Sequence, residues 1–340
     1  ENALDFFLDE LRDTYEIEPK VIRRNVAAEA LPKGAIVLGE SSRFDAPAAA
    51  RKSFGLAMPD HEEGYAIHID DDTAVVAANT DRGVFYGLTS LVQLIRVDDR
   101  GAFLKGVDIV DYPSLDYRGV HCLSAKDGGD EIAKALRTLL ARFKMNSLVF
   151  ECEYIIWDGH EDITHPQYGM TKKEARKVIA AARKYFIDIA PLVQSLGHSE
   201  WIFTNGKNLD IAEDPETPYA YNPTNPDTYT FIFDVYQQAI DLFQPRYFHI
   251  GHDEVTMRGR FPWRSKDSGK TITDLIIEDI NTLRKWFKEK DIRVMMWGDM
   301  FFRALLPDGA YYTEGPLDFP PELLESIPEA MDIIYWDYYN

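Results

Sequence analysis

Leu4, Leu8, Leu11 and Tyr15 fall on one face of a 3.6-residue repeat, which predicts an amphipathic helix at the start of the chain. Apolar runs at 34–38 and 64–69 read as strands, and the turn Asp70-Asp71-Asp72 joins the second to a third run at 73–78 as a hairpin. Val84, Phe85, Leu88, Leu91, Val92 and Ile95 then recur at helical spacing. Two or three strands with two helices predict a small α+β domain over residues 1–110, with 100–113 as its exit.

From Leu115 the pattern becomes a regular alternation. Short apolar runs at 117–123, 147–152, 187–193, 247–251, 292–297 and 333–336 alternate with helical patterns. The first of these helices has Ile132, Ala133, Leu136, Leu139, Leu140 and Phe143 facing inward. The next two are marked by Ala175, Val178, Ile179, Ala182 and Phe186, and by Ile232, Val235, Tyr236, Ile240 and Phe243. The last carries Ile276, Ile280, Leu283 and Phe287. Alternating short strands and helices mean parallel βα units. Polar and aromatic residues at the strand C-termini favour an α/β fold of the (β/α)8 TIM-barrel type over residues 111–340. No Gly-rich phosphate loop follows the first strand, against a nucleotide-binding sheet. Six strands are two short of a closed barrel, so the expectation is a barrel incomplete at its C-terminal side. Residues 205–227, rich in Pro, Asn and Asp, form a long loop expected to shape a substrate pocket.

Composition narrows the partners more than the fold. The 340 residues are 45% hydrophobic and 28% charged, which excludes wholesale disorder. A net charge of -20 repels phosphate backbones and anionic lipid, so neither nucleic acid nor a membrane surface is expected as a partner. The same acidity favours a neutral ligand over an anionic one. No apolar run reaches the length of a membrane span. The two cysteines, Cys122 and Cys152, lie in apolar runs and read as buried free thiols.

The strongest chemical signal is Phe248-His249-Ile250-Gly251-His252-Asp253-Glu254-Val255, at the end of the fourth barrel strand. Neighbouring side chains on a strand alternate faces, but Gly251 lets the backbone depart from strand geometry there, so both carboxylates can reach the barrel mouth. Two acids in one site push their pKa values apart and leave one neutral to donate a proton, as glycosidic cleavage requires. Asp253 and Glu254 could equally be solvated loop acids or a helix N-cap. A metal site on His249, His252 and the acids is a further alternative, though no His-x-x-x-His spacing supports it and no metal is expected.

His249-Ile250-Gly251-His252-Asp253-Glu254 resembles the His-x-Gly-x-Asp-Glu signature of glycoside hydrolase family 20, the β-N-acetylhexosaminidases. Other segments agree in order: Asp111-Tyr112-Pro113 with Tyr117-Arg118-Gly119, Lys144-Met145-Asn146, Pro191 to His198, and Met295-Met296-Trp297-Gly298-Asp299. Thr80 to Gly87 with Gln93-Leu94 is similar to the family's small second domain. Within the family, Phe150-Glu151-Cys152-Glu153, Gln194 to Glu200 and Trp336-Asp337-Tyr338 resemble the hexosaminidase D subgroup more closely, which leans toward the cytoplasm.

The resemblance implies substrate-assisted retaining hydrolysis of terminal β-linked GlcNAc or GalNAc, with no cofactor. Glu254 would be the general acid and Asp253 would orient the substrate's 2-acetamido group, whose carbonyl oxygen attacks the anomeric carbon. Arg118 would bind the sugar's 3- and 4-hydroxyls, the alternative being an interdomain salt bridge. His198 would sit beside the acid, or be a satisfied loop histidine. Trp297 and Trp336 would pack on the pyranose, or be barrel core. Asp299 and Asp337 are weaker candidates for hydroxyl contacts or support.

The chain departs from the family pattern where Leu123 replaces an Asp and Lys126 an Arg, and where Glu151, Glu153 and Tyr154 replace a His and Asp-Asp cluster. Glu151 or Glu153 is then the acid to pair with His198. Two other readings remain open at this point: a carbohydrate-binding pseudoenzyme, and an ordinary two-carboxylate glycosidase using Glu151 as the second acid.

Overall fold

In a computed structural model describing residues 1–22, 33–40, 47, 52, 55–301, 319, 321–327 and 331–336, the first helix, α1 (Asn2–Tyr15), buries Ala3, Phe6, Phe7, Glu10 and Leu11. The expected face of Leu4, Leu8, Leu11 and Tyr15 is thus rotated, and Leu4 and Leu8 are only half-buried. The two phenylalanines decide this, because rings bury more apolar area than leucines. Phe6 packs 4.9 Å from the Phe85 ring and 5.9 Å from Tyr185. Glu10 is drawn in with them, and its carboxylate is ion-paired to Arg137 at 3.3 Å and Arg142 at 2.6 Å, which offsets its loss of water.

The chain forms two compact units, the first made of Glu1–Arg118, Lys134–Asn146 and Ala181–Ile187. In it β1 (Ala35–Glu40), β2 (Tyr65–Ile69), β3 (Thr73–Ala78), α2 (Asp81–Leu94), β4 (Arg96–Asp98), β5 (Gly101–Phe103) and β6 (Val107–Asp111) follow in order. The sheet order is β1-β3-β2-β6, with β1 parallel to β3 and β2 antiparallel to both neighbours. The predicted hairpin forms as expected, and Asp70 fixes its turn by accepting from the Asp72 and Thr73 amides. The expected exit at 100–113 is instead a small β4–β5 hairpin followed by edge strand β6. Three of its five residues are exposed, two of them aspartates, so it does not read as an apolar run.

The second unit comprises Gly119–Ala133, Ser147–Ala180 and Asp188–Asn340. Its strands are β7 (Gly119–Leu123), β8 (Ser147–Glu151), β9 (Asp188–Ser195), β10 (Tyr247–Gly251), β11 (Arg293–Trp297) and β12 (Met331–Ile334). Every pair is parallel and every neighbour sequential, the strand order of a (β/α) barrel, with six such strands among the described residues. The helices between them are α3 (Gly129–Ala135), α4 (Lys172–Lys184), α5 (Pro226–Phe243), α6 (Ile272–Lys288) and the short α7 (Pro321–Leu324). Asn225 caps α5 with Pro226 at its first turn, and a Thr271–Asp274 capping box starts α6.

A second helix departs from its predicted face. A π-helical stretch, Leu136–Ala141, continues α3, and the wider turn moves later residues around the axis. Leu136 and Leu140 are buried, whereas Leu139 and Phe143 are exposed. On one face of the parallel sheet Val149, Ala190, Leu192 and Met295 form a core cluster, with Tyr247, Trp297 and Ile334 packed against it. Cys152 is buried as expected, but Cys122 is only half-buried, and both are free thiols. Among the described residues no helix is long and apolar enough to cross a membrane.

Candidate active site

The tip of β10 shows how two adjacent carboxylates come to serve one site. Gly251 has φ 66°, and a Cβ there would collide with the Gln194 side chain. His252 (φ 73°) and Glu254 (φ 47°) are left-handed too. Non-glycine residues in this region cost about 1–3 kcal/mol each, and such strain concentrates at functional sites. The result replaces strand alternation by a turn. A second close approach fixes the neighbouring tip: a Cβ on Gly197 would strike the Asp253 carbonyl oxygen and lie 3.0 Å from Val255 Cα. Only glycine lets the two backbones meet there.

His198, next to Gly197, reaches both acids. Its Nε2 is 3.1 Å from Glu254 Oε2 and 3.7 Å from Asp253 Oδ2. Asp299, past the end of β11, accepts the Glu254 backbone N–H at 2.9 Å. Tyr219, from the long 205–227 loop, donates its hydroxyl to the Glu254 carbonyl at 3.0 Å and lies edge-on to His198. Oδ1 of Asp253 is buried without a hydrogen-bond partner. Burial lifts the Asp253 carboxyl to about 7; the His198 charge opposes this, while Asp299 and Glu254 add to it. Asp299 is also raised, again chiefly by burial.

A second acidic group lies at the tip of β8, beside β7. Glu151 is 2.7 Å from His121 Nε2 and is hydrogen-bonded to Glu153. Glu153 is buried and its carboxyl is pushed far up by burial and by the Glu151 charge, so it holds the proton of the pair. Burial works against ionisation of Glu151 as well, but the bonds from His121 and Glu153 outweigh it and hold that carboxyl below its usual value. Trp297 faces His121 at 5.7 Å and His249 at 4.3 Å. Burial, with His121 nearby, lowers His249 to about 3, so it is neutral; its Nδ1 accepts the Gly251 N–H, which places the proton on Nε2.

The structure thus brings together Asp253, Glu254, His198 and Asp299, with Glu151 and Trp297 on the tips of neighbouring strands. Trp297 also packs on the core cluster, the second of its two anticipated environments. Trp336 is half-buried two residues past β12, and Asp337 lies outside the described residues.

Arg118 is not brought to the acids. It precedes the first residue of β7, whereas the acids follow the last residue of β10. Within the first unit its guanidinium donates to Glu63 (2.8 Å), the Tyr86 hydroxyl (3.1 Å) and the carbonyls of Leu115 and Lys144. Its ion pair is therefore internal to that unit rather than interdomain or with a sugar. Removing it leaves the buried Glu63 carboxylate short of its best counter-charge. Arg118→Met is expected to lose about 3 kcal/mol of stability, read as a lower urea midpoint, with KM unchanged.

Sequence reasoning missed two residues, and for a third, Asp299, it gave the position but not the partner. His121 was passed over inside an apolar run, although it stands two residues before Leu123 on the face that carries the site. Tyr219 was unreachable from spacing, because a long irregular loop delivers it. Asp299's bond to a backbone amide has no sequence signal. The metal alternative finds no donor set: His249 Nδ1 accepts from Gly251, His252 Nε2 is 3.0 Å from Asp279, and no metal-holding cluster occurs among the described residues.

Residues 1–112 match the model of glycosyl hydrolase family 20 domain 2, and residues 107–313 match that family's catalytic domain. The chain belongs to glycosyl hydrolase family 20. It is 28% identical over 242 residues to the β-hexosaminidase of Vibrio furnissii, an overlap of 58% of this chain and 38% of that protein. It is 24% identical to the β-hexosaminidase of Porphyromonas gingivalis, over 85% of this chain and 43% of that one. The chain spans less than half the length of these curated relatives. Its fold is that of the GH20 exo-β-N-acetylglucosaminidase of Vibrio harveyi, solved with N-acetylglucosamine: TM-score 0.73 and 18% identity, covering 99% of this chain and 53% of that one.

Proposed function

We propose that the protein is an exo-β-N-acetylhexosaminidase that releases terminal β-linked GlcNAc or GalNAc by substrate-assisted catalysis, with residues 111–340 carrying the reaction. One observation carries this most: Asp253, whose Oδ1 is buried and unpartnered, stands beside Glu254, with His198 against both. An acceptor in that position suits the N–H of a substrate acetamido group. Held by Asp253, the acetamido carbonyl oxygen forms its bond to the anomeric carbon as the glycosidic bond breaks, and Glu254 gives its proton to the departing oxygen. Asp253 then balances the positive charge of the oxazolinium-like intermediate. Water, giving its proton back to Glu254, opens that ring with overall retention.

Trp297, with Trp336, is the apolar wall for the sugar. Glu151, held by His121, receives a sugar hydroxyl. The cation for the ring hydroxyls is Lys126, in the loop after β7, rather than Arg118. Lys126 Nζ already reaches the Pro166 carbonyl at 3.3 Å, on the strand-end side where the acids also lie. The Glu151-Cys152-Glu153 arrangement supports placing the chain in the hexosaminidase D subgroup. The expected partner is a glycan or glycoconjugate ending in an N-acetylhexosamine.

Hydrolysis of nitrophenyl β-GlcNAc, β-GalNAc and β-glucoside is the test. Cleavage of the two acetamido sugars alone is expected. Cleavage of the glucoside would transfer the chemistry to a two-carboxylate mechanism with Glu151, and binding of GlcNAc without turnover would identify a lectin-like pseudoenzyme.

A further inference from the structure

Asp279 lies on α6, is completely buried, and has no part in the chemistry above. Three donors converge on its carboxylate. The Tyr221 hydroxyl lies 3.0 and 2.8 Å from its two oxygens, the Tyr229 hydroxyl is 2.7 Å from Oδ1, and His252 Nε2 is 3.0 Å from Oδ2. A carboxylate accepts only, so Nε2 of His252 carries the proton.

Two of these donors lead directly to the proposed site. His252 precedes Asp253 and, after Gly251, is the second left-handed residue of the turn that aims both acids. Tyr221 sits in the long loop and donates its backbone N–H to the Leu196 carbonyl at 3.3 Å. Tyr219, two residues earlier, accepts from the Ser199 N–H at 2.9 Å and gives its hydroxyl to the Glu254 carbonyl at 3.0 Å. Residues 219–221 are therefore bonded on both sides of His198. Tyr229 anchors the same carboxylate to α5.

We infer that Asp279 is a positioning residue, whose single buried carboxylate holds the acid-bearing turn through His252 and the His198-flanking loop through Tyr221. Well-packed apolar residues commonly replace buried charges without loss of stability. What an apolar residue cannot do is accept directional bonds from two separate segments at once, and the catalytic geometry needs both held to within a fraction of an ångström. The inference rests on the proposed hydrolase reading.

The test compares the full chain with Asp279→Asn and His252→Gly on methyl and nitrophenyl β-N-acetylglucosaminide. Asp279→Asn removes the charge at constant size. His252→Gly keeps the left-handed backbone open to residue 252 while cutting the link, so it serves if the first variant does not fold. A proton donor displaced by about 1 Å costs on the order of 100-fold. That loss in kcat/KM is expected on the methyl glycoside, which needs the proton, and a much smaller loss on the nitrophenyl one, with KM nearly constant. A purely structural role would lower the active fraction and reduce both substrates equally; equal losses or no loss in folded protein would overturn the inference. Wild-type turnover reports on the hydrolase reading separately. If wild type cleaves neither glycoside, that reading fails and the imidazole NMR signals of His198 decide the positioning role. Asp279→Asn must shift them for it to stand, and unchanged signals overturn it.

Discussion

Glu254→Gln is expected to lower kcat on alkyl and oligosaccharide β-N-acetylhexosaminides by about 100- to 10,000-fold, the usual share of a positioned proton donor. The residue keeps its place in this variant, since its backbone N–H to Asp299 and its carbonyl to Tyr219 involve no side-chain atom. Only the proton is lost. The fall is therefore expected in kcat rather than KM, and it should shrink as the leaving group becomes more acidic. Rates across a series of aryl and alkyl glycosides check this. A uniform loss across the series would mean that Glu254 is not the acid.

Asp253→Asn should move activity and stability in opposite directions. Activity falls by about 100- to 1,000-fold, as for removal of one preorganised electrostatic partner of the reacting group. Stability rises, and the pH dependence identifies the cause. The carboxyl titrates at about 7 in the folded protein, against an ordinary 3.8. Below 3.8 both folded and unfolded states hold the proton and the charge plays no part. Between about 4 and 7 the unfolded chain has released a proton that the folded one keeps, so stability falls as pH rises. Above 7 the folded state carries the full cost of the poorly solvated charge, about 4 kcal/mol. The melting temperature of Asp253→Asn should match wild type near pH 4 and exceed it near pH 8. A constant difference across that range would assign the effect to packing. The same upward shift places the acid limb of wild-type kcat/KM near pH 7, where Asp253 becomes the charged partner that the acetamido group requires.

The barrel was legible because βα units write themselves in period-2 and period-3.6 runs. The strand ranges lie within a few residues of the apolar runs, and Asp253-Glu254 stood out through the glycine two residues before the first acid. What stayed hidden had physical reasons. The face of α1 turned on ring area, which helical spacing does not weigh. Leu139 and Phe143 came out to solvent because hydrogen-bond slippage into a π turn leaves no mark in a hydrophobic pattern. Strand β6 is a polar edge. Arg118, which the resemblance implied as a sugar ligand, stands at the other end of its strand from the acids; one residue before a strand and one after it look alike in sequence, but a five-residue strand separates them by about 20 Å. Glu151 and Glu153 were visible as acids, whereas their unequal sharing of a proton is set by burial.

Gly197 carries a mechanical consequence. Where it meets the Asp253 carbonyl, the separation of His198 from the acids is set by main chain against main chain, with no flexible side chain between to absorb motion. A shift of either loop tip toward the other is therefore opposed directly by main chain, and no change of rotamer can close or widen that approach.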